Sequence, residues 1–318
     1  MKISVALCTY NGERYLLEQL HSFINQTLQP YEIVVCDDGS TDKTLDILHN
    51  FSKHAPFIVK IVSNENNLGV AKNFNKAISL CKGDLILPSD QDDIWDKTKI
   101  SVFNRYFSEN EDVLLMFSDM CIMTDSGCIT NRTIWGDLYF SRRMQNVINS
   151  KNAFSYLLKR NLMNGAAMGF RSSLILKALP IPDCFMHDEW LGLVASLLGD
   201  IYACPQPLVH YRQHGKQEVG SASGYSERLK QAKRLMRSHY FKDKPARADA
   251  VCNLVSENVP DKLKYLKLLS GFQCHEYNVF SMHEKAVRKS YLIPLELLSG
   301  RYFKYDNGIS SIIRDVLL

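Results

Sequence analysis

Val34-Val35-Cys36-Asp37-Asp38-Gly39-Ser40-Thr41-Asp42 is an apolar, β-branched run that stops abruptly in carboxylates, a glycine and hydroxyls. Such a run reads as a short buried strand that ends in a turn. The pattern recurs on both sides of it. Ile3–Cys8 runs into Thr9-Tyr10-Asn11-Gly12, and Asp84–Pro88 runs into Ser89-Asp90-Gln91-Asp92-Asp93. Helical spacing fills the intervals, through Tyr15, Leu16, Leu20, Phe23 and Ile24, then Thr44–Phe51, then Gly69–Cys81 with Phe74, Ala77 and Ile78 on one face. Phe57–Val62 adds a strand and Asp96–Phe107 a fourth helix. Strands that alternate with helices imply βαβ units and a mainly parallel sheet covered on both faces. Parallel strands all finish on one side, and ligands of such sheets gather there. The three polar strand ends are therefore expected to converge.

Beyond this region Val113–Ser118 reads as a strand, Asp119–Asp137 as a hairpin or loop around Asp125-Ser126-Gly127, and Ala153–Leu158 as a helix. Ala166–Phe170 is extended, Asp188–Leu198 helical and Pro207–Tyr211 extended. Gly220-Ser221-Ala222-Ser223-Gly224 is the best linker. The expected organisation is thus a catalytic domain over residues 1–220 and a helical, basic C-terminal region over 221–318. Residues from Ser221 onward carry 17 Lys+Arg against 10 Asp+Glu, although the whole chain of 318 residues has a net charge of only +4. That modest total argues against a nucleic-acid partner, whereas the basic tail suits phosphates or an anionic membrane surface. Nine scattered cysteines with no C-x-x-C pair indicate neither a zinc ribbon nor a disulfide framework, and fit a cytoplasmic protein. No apolar run reaches the ~18 residues of a membrane span.

Asp90-x-Asp92 can bind a hard divalent cation such as Mg²⁺ or Mn²⁺ through carboxylate oxygens, with waters and phosphates completing the shell. The bland alternative is that Asp92 or Asp93 caps a helix starting near Ile94. A carboxylate of Asp37-Asp38-Gly39-Ser40-Thr41-Asp42 can accept the imide N–H of a uracil or thymine ring, and Tyr10 can stack on such a base; a plain turn and ordinary packing are the alternatives.

Taken together, Cys8-Thr9-Tyr10-Asn11-Gly12, Val34 to Asp42, Asn66-Asn67-Leu68-Gly69 and Ser89-Asp90-Gln91-Asp92-Asp93 resemble, in order and spacing, the successive signatures of family-2 glycosyltransferases of the GT-A fold. The resemblance covers roughly residues 3–215. It implies an α/β GT-A fold with a donor half over about 1–120, an acceptor half over about 121–220 and a helical C-terminal extension. It also implies a donor-nucleotide site at Thr9, Tyr10, Asn11, Glu13, Asp38, Asn67, Lys72 and Asp90, with metal at Asp92. Tyr211-Arg212-Gln213-His214 resembles a later segment in which a His or Arg meets the metal or diphosphate, so His214 joins Asp92. In His187-Asp188-Glu189-Trp190 the family places its general base; Asp188 aligns best, Glu189 competes, and an N-cap is the structural alternative. The wording of this segment is similar to bacterial rhamnosyltransferase-type enzymes of surface polysaccharide synthesis. The resemblance thus implies a Mn²⁺- or Mg²⁺-dependent inverting hexosyltransferase with a UDP- or dTDP-sugar donor and a polyprenyl-linked glycan acceptor.

Other classes fit less well. A nucleotidylyltransferase would carry a Gly-rich N-terminal loop, and a dehydrogenase a G-x-G-x-x-G after the first strand; neither is present. A non-catalytic nucleotide-sugar-binding scaffold would be expected to lack Asp90, Asp92 or Asp188. In the tail, Arg228, Lys230, Lys233, Arg234 and Arg237 surround Leu229, Ala232, Leu235 and Met236 near helical spacing, which suits a helix lying peripherally on a bilayer or packed on the catalytic domain. Lys262–Leu269 and Ala286–Leu298 are also amphipathic and can mediate homo-oligomer formation.

Overall fold

The computed structural model describes residues 1–150, 153–214, 242–259 and 263–317. The proposed linker and the basic segment 228–237 lie outside the described residues. Strands β1 (Ile3–Thr9), β2 (Glu32–Asp37), β3 (Ile58–Ser63) and β4 (Leu85–Ser89) alternate with helices α1 (Leu16–Ile24), α2 (Thr44–Ser52) and α3 (Val70–Leu80). The strands form in the order β3-β2-β1-β4, all parallel. Burial explains their composition: Val5, Leu7, Val34, Val35, Ile86 and Leu87 are wholly covered, as strands sandwiched between helix layers must be. β3 is the edge strand and is partly exposed along its length, with Lys60 on it, a charge that discourages pairing with other chains.

The sheet continues as a mixed half. β5 (Ile94–Trp95), β6 (Val113–Thr124), β7 (Ile129–Thr133), β8 (Met168–Arg171) and β9 (Asp200–Gln213) complete it. β8 joins β4 antiparallel, β6 follows antiparallel to β8, and β9 runs parallel to β6 and antiparallel to β5. Helix α4 (Lys99–Glu109) precedes β6. It is followed by α5 (Ile134–Asp137), α6 (Arg142–Ile148), α7 (Ala153–Leu157), α8 (Ile175–Ala178) and α9 (His187–Leu198). Two departures from the sequence reading matter. Ile94–Trp95 is a strand, not the start of a helix; α4 begins at Lys99, where Asp96 accepts the Thr98 backbone N–H at 2.8 Å. Neither Asp92 nor Asp93 therefore caps it. Asp119 lies inside β6, which runs on to Thr124 before the hairpin turn, because Ile122 and Met123 are buried against the core.

The chain divides into two compact units: Met1–Ala153 with Met163–Ser221, and Phe154–Leu162 with Ala222–Leu318. In the second, α10 (Lys244–Asn258), α11 (Leu263–Glu284), α12 (Lys289–Leu298), α13 (Arg301–Tyr305) and α14 (Ile309–Leu317) are described. Phe154 packs edge-on against Tyr265 at 5.6 Å, and Lys159 donates to the Phe303 carbonyl at 3.1 Å. The interior of this unit holds charges as well as apolar residues. His275 is fully buried, with Nδ1 2.6 Å from Glu296 Oε2 and Nε2 3.6 Å from Asp306 Oδ2. Arg301 pairs with Glu296, Arg314 with Asp306 and Asp315, His283 with Asp315 and Lys244 with Glu276.

Burial opposes a charge on His275, but the facing Asp306 carboxylate and the hydrogen bond to Glu296 prevail, and its pKa rises above the ordinary value. A raised folded-state pKa adds stability that is fully present below the unfolded pKa, ~6.5, and is lost as pH rises through the folded value. Against the cost of their burial, His275 shifts both Glu296 and Asp306 down, with Asn278 and Arg301 adding to it at Glu296 and Arg314 at Asp306, so their contribution is lost only at acid pH. The melting temperature followed against pH should therefore fall on the alkaline side of ~6.5, and His275→Gln should remove that limb. It should also cost ~3 kcal/mol, because breaking a buried pair leaves carboxylates uncompensated. An unchanged pH profile in the variant would dissociate His275 from it.

Candidate active site

Register brings the polar ends together. Thr9 stands opposite Asp37, Asp37 opposite Ser63, and Leu7 opposite Ser89, so the loops after β1, β2 and β4 leave one edge. The strand order reverses between β1 and β4, the switch point where open α/β sheets form their crevice.

The β1 and β2 loops are laced to each other. Asn11, in a left-handed conformation (φ 47°), accepts the Thr41 N–H at 2.9 Å, while its own N–H donates to Ser40 Oγ at 2.9 Å. Glu13 accepts the Lys43 N–H at 3.0 Å, and the Gly12 N–H donates to Thr44 Oγ1 at 2.8 Å. The Thr9 hydroxyl is committed to Asp37, at 2.7 Å. Asn11 and Glu13 thus shape the loops, and Tyr10 is left about half exposed above them. Asp38 is buried and accepts from Asn64 Nδ2 at 2.8 Å and from the N–H groups of Leu68 and Gly69 at 2.8 and 2.9 Å. Asn67 braces the same turn through the Asp38 carbonyl at 3.3 Å. Lys72, in the first turn of α3, points to Asp183 at 3.4 Å, in the loop before α9.

Across the switch point the β4 loop is clasped by Gln91, a residue the sequence reading did not single out. Its Oε1 accepts the Tyr10 N–H and its Nε2 donates to the Tyr10 carbonyl, both at 2.9 Å. The side chain thereby imitates a further rung of the β1–β4 ladder. Gly12 is what lets it approach, since a Cβ there would fall 2.2 Å from Gln91 Oε1.

Asp90 and Asp92 are both half-buried beside this clasp. Asp92 Oδ2 lies 2.8 Å from His214 Nε2, so two of the predicted residues meet although 122 positions separate them. The His214 ring also packs against Tyr15, tilted, with centres 4.7 Å apart. Beneath them Arg212, on β9 and almost fully buried, acts as a hub. It donates through Nε to the Asp92 carbonyl at 3.0 Å, through Nη1 to the Asp125 carbonyl at 3.0 Å, and through Nη2 to Glu18 at 2.7 Å. Its backbone N–H donates to Asp93 Oδ1 at 3.1 Å. Arg14 and the Tyr15 hydroxyl hold the Asp125 side chain from the other direction.

Asp93 and Lys99 underlie the whole. Burial pushes the Asp93 carboxyl well above the usual carboxylate range, reinforced by repulsion from Asp92 and Asp90, and its Oδ2 has no hydrogen-bond partner among the described residues. Burial likewise pushes the Lys99 ammonium down, opposed by attraction to Asp93 and Asp90. Lys99 donates to the Ala166 carbonyl and sits 3.5 Å from the Trp95 ring centre, a contact favourable to a desolvated cation.

Asp188 occupies the second position of α9, whose N-cap is Met186, so Asp188 is not the cap. Its Oδ1 accepts the Glu189 N–H at 2.7 Å. The preceding His187 is buried, stacks on Phe74 at 3.8 Å, and abuts Gly165, where a Cβ would meet Nε2 at 2.2 Å. Burial lowers its pKa to about 3, so the imidazole is neutral and serves as packing that fixes the start of α9 on α3.

A cation fits this donor set. Asp92 supplies a hard carboxylate oxygen and His214 an imidazole, and no group of three or more metal-ligating side chains closes a full cage among the described residues. Two protein donors suit an ion that keeps waters and substrate phosphates in its shell.

The profile of glycosyl transferase family 2 matches residues 4–175, and the chain belongs to that family. It is 32% identical over 259 residues to an uncharacterized glycosyltransferase of Haemophilus influenzae, covering 80% of this chain and 78% of that one. It is 28% identical over 262 residues to the dTDP-rhamnosyl transferase RfbG of Shigella flexneri, covering 78% and 85%. Its fold is GT-A. The structure of S. aureus TarS residues 1–349 with UDP-GlcNAc superposes with a TM-score of 0.57 at 19% identity, covering 99% of this chain and 89% of that one. The Pyrobaculum calidifontis mannosyltransferase PcManGT, with GDP-Man and Mn²⁺, gives 0.54 at 18% identity, covering 99% and 86%.

The clasp is open to a direct test. Gln91→Ala should lower nucleotide affinity roughly tenfold, about what losing one or two hydrogen bonds of ~1 kcal/mol each predicts. Gly12→Ala, which displaces the same side chain, should match it. The double variant should be little worse than either single one, as coupled sites behave; fully additive losses, read by calorimetric titration of the nucleotide, would mean that Gly12 acts otherwise.

Proposed function

We propose that the chain is an inverting hexosyltransferase that moves a sugar, rhamnose or another hexose, from a UDP- or dTDP-linked donor to a hydroxyl of a growing lipid-linked bacterial surface glycan. The observation that carries this reading is the gathering of Tyr10, Asp38, Asp90 and the Asp92–His214 pair at one edge of the sheet. The likeness to a dTDP-rhamnosyl transferase supports the donor class.

Tyr10 offers its exposed ring to the pyrimidine, and Asp38, with Asn67 and the 64–69 turn drawn round it, stands at the imide side. Asp90 faces the ribose. Thr9, Asn11 and Glu13 support the donor by setting the loops, and Lys72 lends positive charge near them. Asp92 and His214 would hold Mn²⁺ or Mg²⁺, which supplies charge neutralisation for a diphosphate leaving group. Asp188 is the general base: it takes the acceptor hydroxyl's proton as that oxygen bonds to the anomeric carbon. The bond from that carbon to the diphosphate oxygen breaks, and the nucleoside diphosphate departs with its electron pair. Inversion follows from attack opposite the leaving group. Glu189, one residue on, is the control for this role.

Mn²⁺ or Mg²⁺ together with UDP or dTDP should raise the melting temperature, since a ligand of the folded state stabilises it by linkage. Asp188→Asn should keep that shift while transfer falls by ~10²–10⁴-fold, the usual worth of a positioned base. Glu189→Gln should retain most activity. A melting temperature indifferent to every metal–nucleotide pair would sink the donor site, and full transfer by Asp188→Asn would sink the base.

A further inference from the structure

Scattered exposed apolar side chains are ordinary on protein surfaces, but those of the C-terminal helices are spaced. On α12, Tyr291, Leu295 and Leu298 are exposed at positions i, i+4 and i+7; on α14, Ile309, Ile313 and Val316 repeat that spacing. Leu298 is 87% exposed and Ile309 65%. Phe303 of α13 is also exposed and lies against Gly308, at the start of α14. The opposite faces of these helices are accounted for, because Leu292, Glu296, Tyr302, Tyr305, Ser311 and Asp315 are buried within the unit. The outward stripes belong to helices whose cores are already complete.

Charge sorts the same way. Between Lys285 and Leu317 the chain has six cations, Lys285, Arg288, Lys289, Arg301, Lys304 and Arg314, and three carboxylates. All three carboxylates, Glu296, Asp306 and Asp315, are buried and paired. Lys285 and Lys304 are exposed and Lys289 partly so. The outer surface of this segment is thus apolar and rimmed by lysines, with the exposed carboxylate at its edge, Glu284, paired to Arg288.

We propose that the outward faces of α12, α13 and α14 dock on an anionic lipid bilayer. Apolar side chains enter the headgroup–acyl boundary while lysines meet lipid phosphates. A second copy of the chain is a poorer occupant, since a twofold interface would set the lysine rim against itself. The surface draws its purpose from the lipid-linked acceptor proposed above, but its test uses neither donor nor acceptor, so either can fail alone.

The test is co-sedimentation of the full chain with vesicles of phosphatidylglycerol and phosphatidylethanolamine, compared with pure phosphatidylcholine. The wild type should bind the anionic vesicles, more weakly as salt is raised. Leu298→Glu combined with Ile313→Glu should cut partitioning by about tenfold or more, because burying charge at that boundary is unfavourable. Lys304→Glu should weaken it through charge alone. Each variant should keep the wild-type melting temperature and far-ultraviolet circular dichroism, which shows an intact fold. Equal binding by wild type and the double variant, or no preference for anionic lipid, would overturn the proposal. So would a concentration-dependent dimer in sedimentation velocity that the same substitutions abolish.

Discussion

Four parallel strands finish on one edge, and this constraint governs everything placed there. The loops that leave β1, β2 and β4 carry backbone donors and acceptors that the sheet no longer satisfies, and crowding removes the water that could do so. The chain answers by cross-lacing. Asn11 with Ser40 and Thr41, Gly12 with Thr44, and Asp38 with Leu68 and Gly69 each satisfy groups that strand ends left open. The side chains that remain turned outward, Tyr10 above all, are then held on a rigid base.

The mixed half of the sheet contributes what the parallel half cannot. β9 delivers Arg212 and His214 beneath and beside Asp92, and its pairing with β5 fixes the exit of the Asp90–Asp93 loop. A guanidinium removed from water needs several partners at once; Arg212 finds them in the Asp92 and Asp125 carbonyls and the Glu18 carboxylate. Three segments far apart in the chain are thereby indexed to one planar group. Fork geometry makes arginine rather than lysine suited to that duty.

How much of this could be read in advance depends on the range of the interaction. Strand and helix order was legible because period-2 and period-3.6 burial are local patterns, and the strand-end convergence followed from parallel topology. The pairing of Asp92 with His214 came through resemblance rather than spacing. Gln91, Arg212 and His187 were not legible in their roles, because each is defined by partners 81, 120 and roughly 110 positions away for Gln91, Arg212 and the His187–Phe74 stack respectively. Ile94–Trp95 looked like a helix start since two residues carry no period, and only pairing with Val209 and His210 makes them a strand. In the C-terminal helices, Glu296, Asp306 and Asp315 resemble ordinary solvated charges in sequence, yet each is buried against a cation whose position only the packing reveals.

The Gln91 clasp has a thermodynamic consequence. Of the residues in Asp90-Gln91-Asp92, the one that fixes the loop is the one without charge, and its two bonds go to backbone rather than to either carboxylate. That hold on the loop therefore does not depend on the charge of either carboxylate. An ion held at Asp92, as proposed above, would meet a loop already ordered, so little of its binding free energy would be diverted to ordering chain. Under the proposed function, such an ion would have to displace the contact between Asp92 and His214, while the frame set by Gln91 stayed in place.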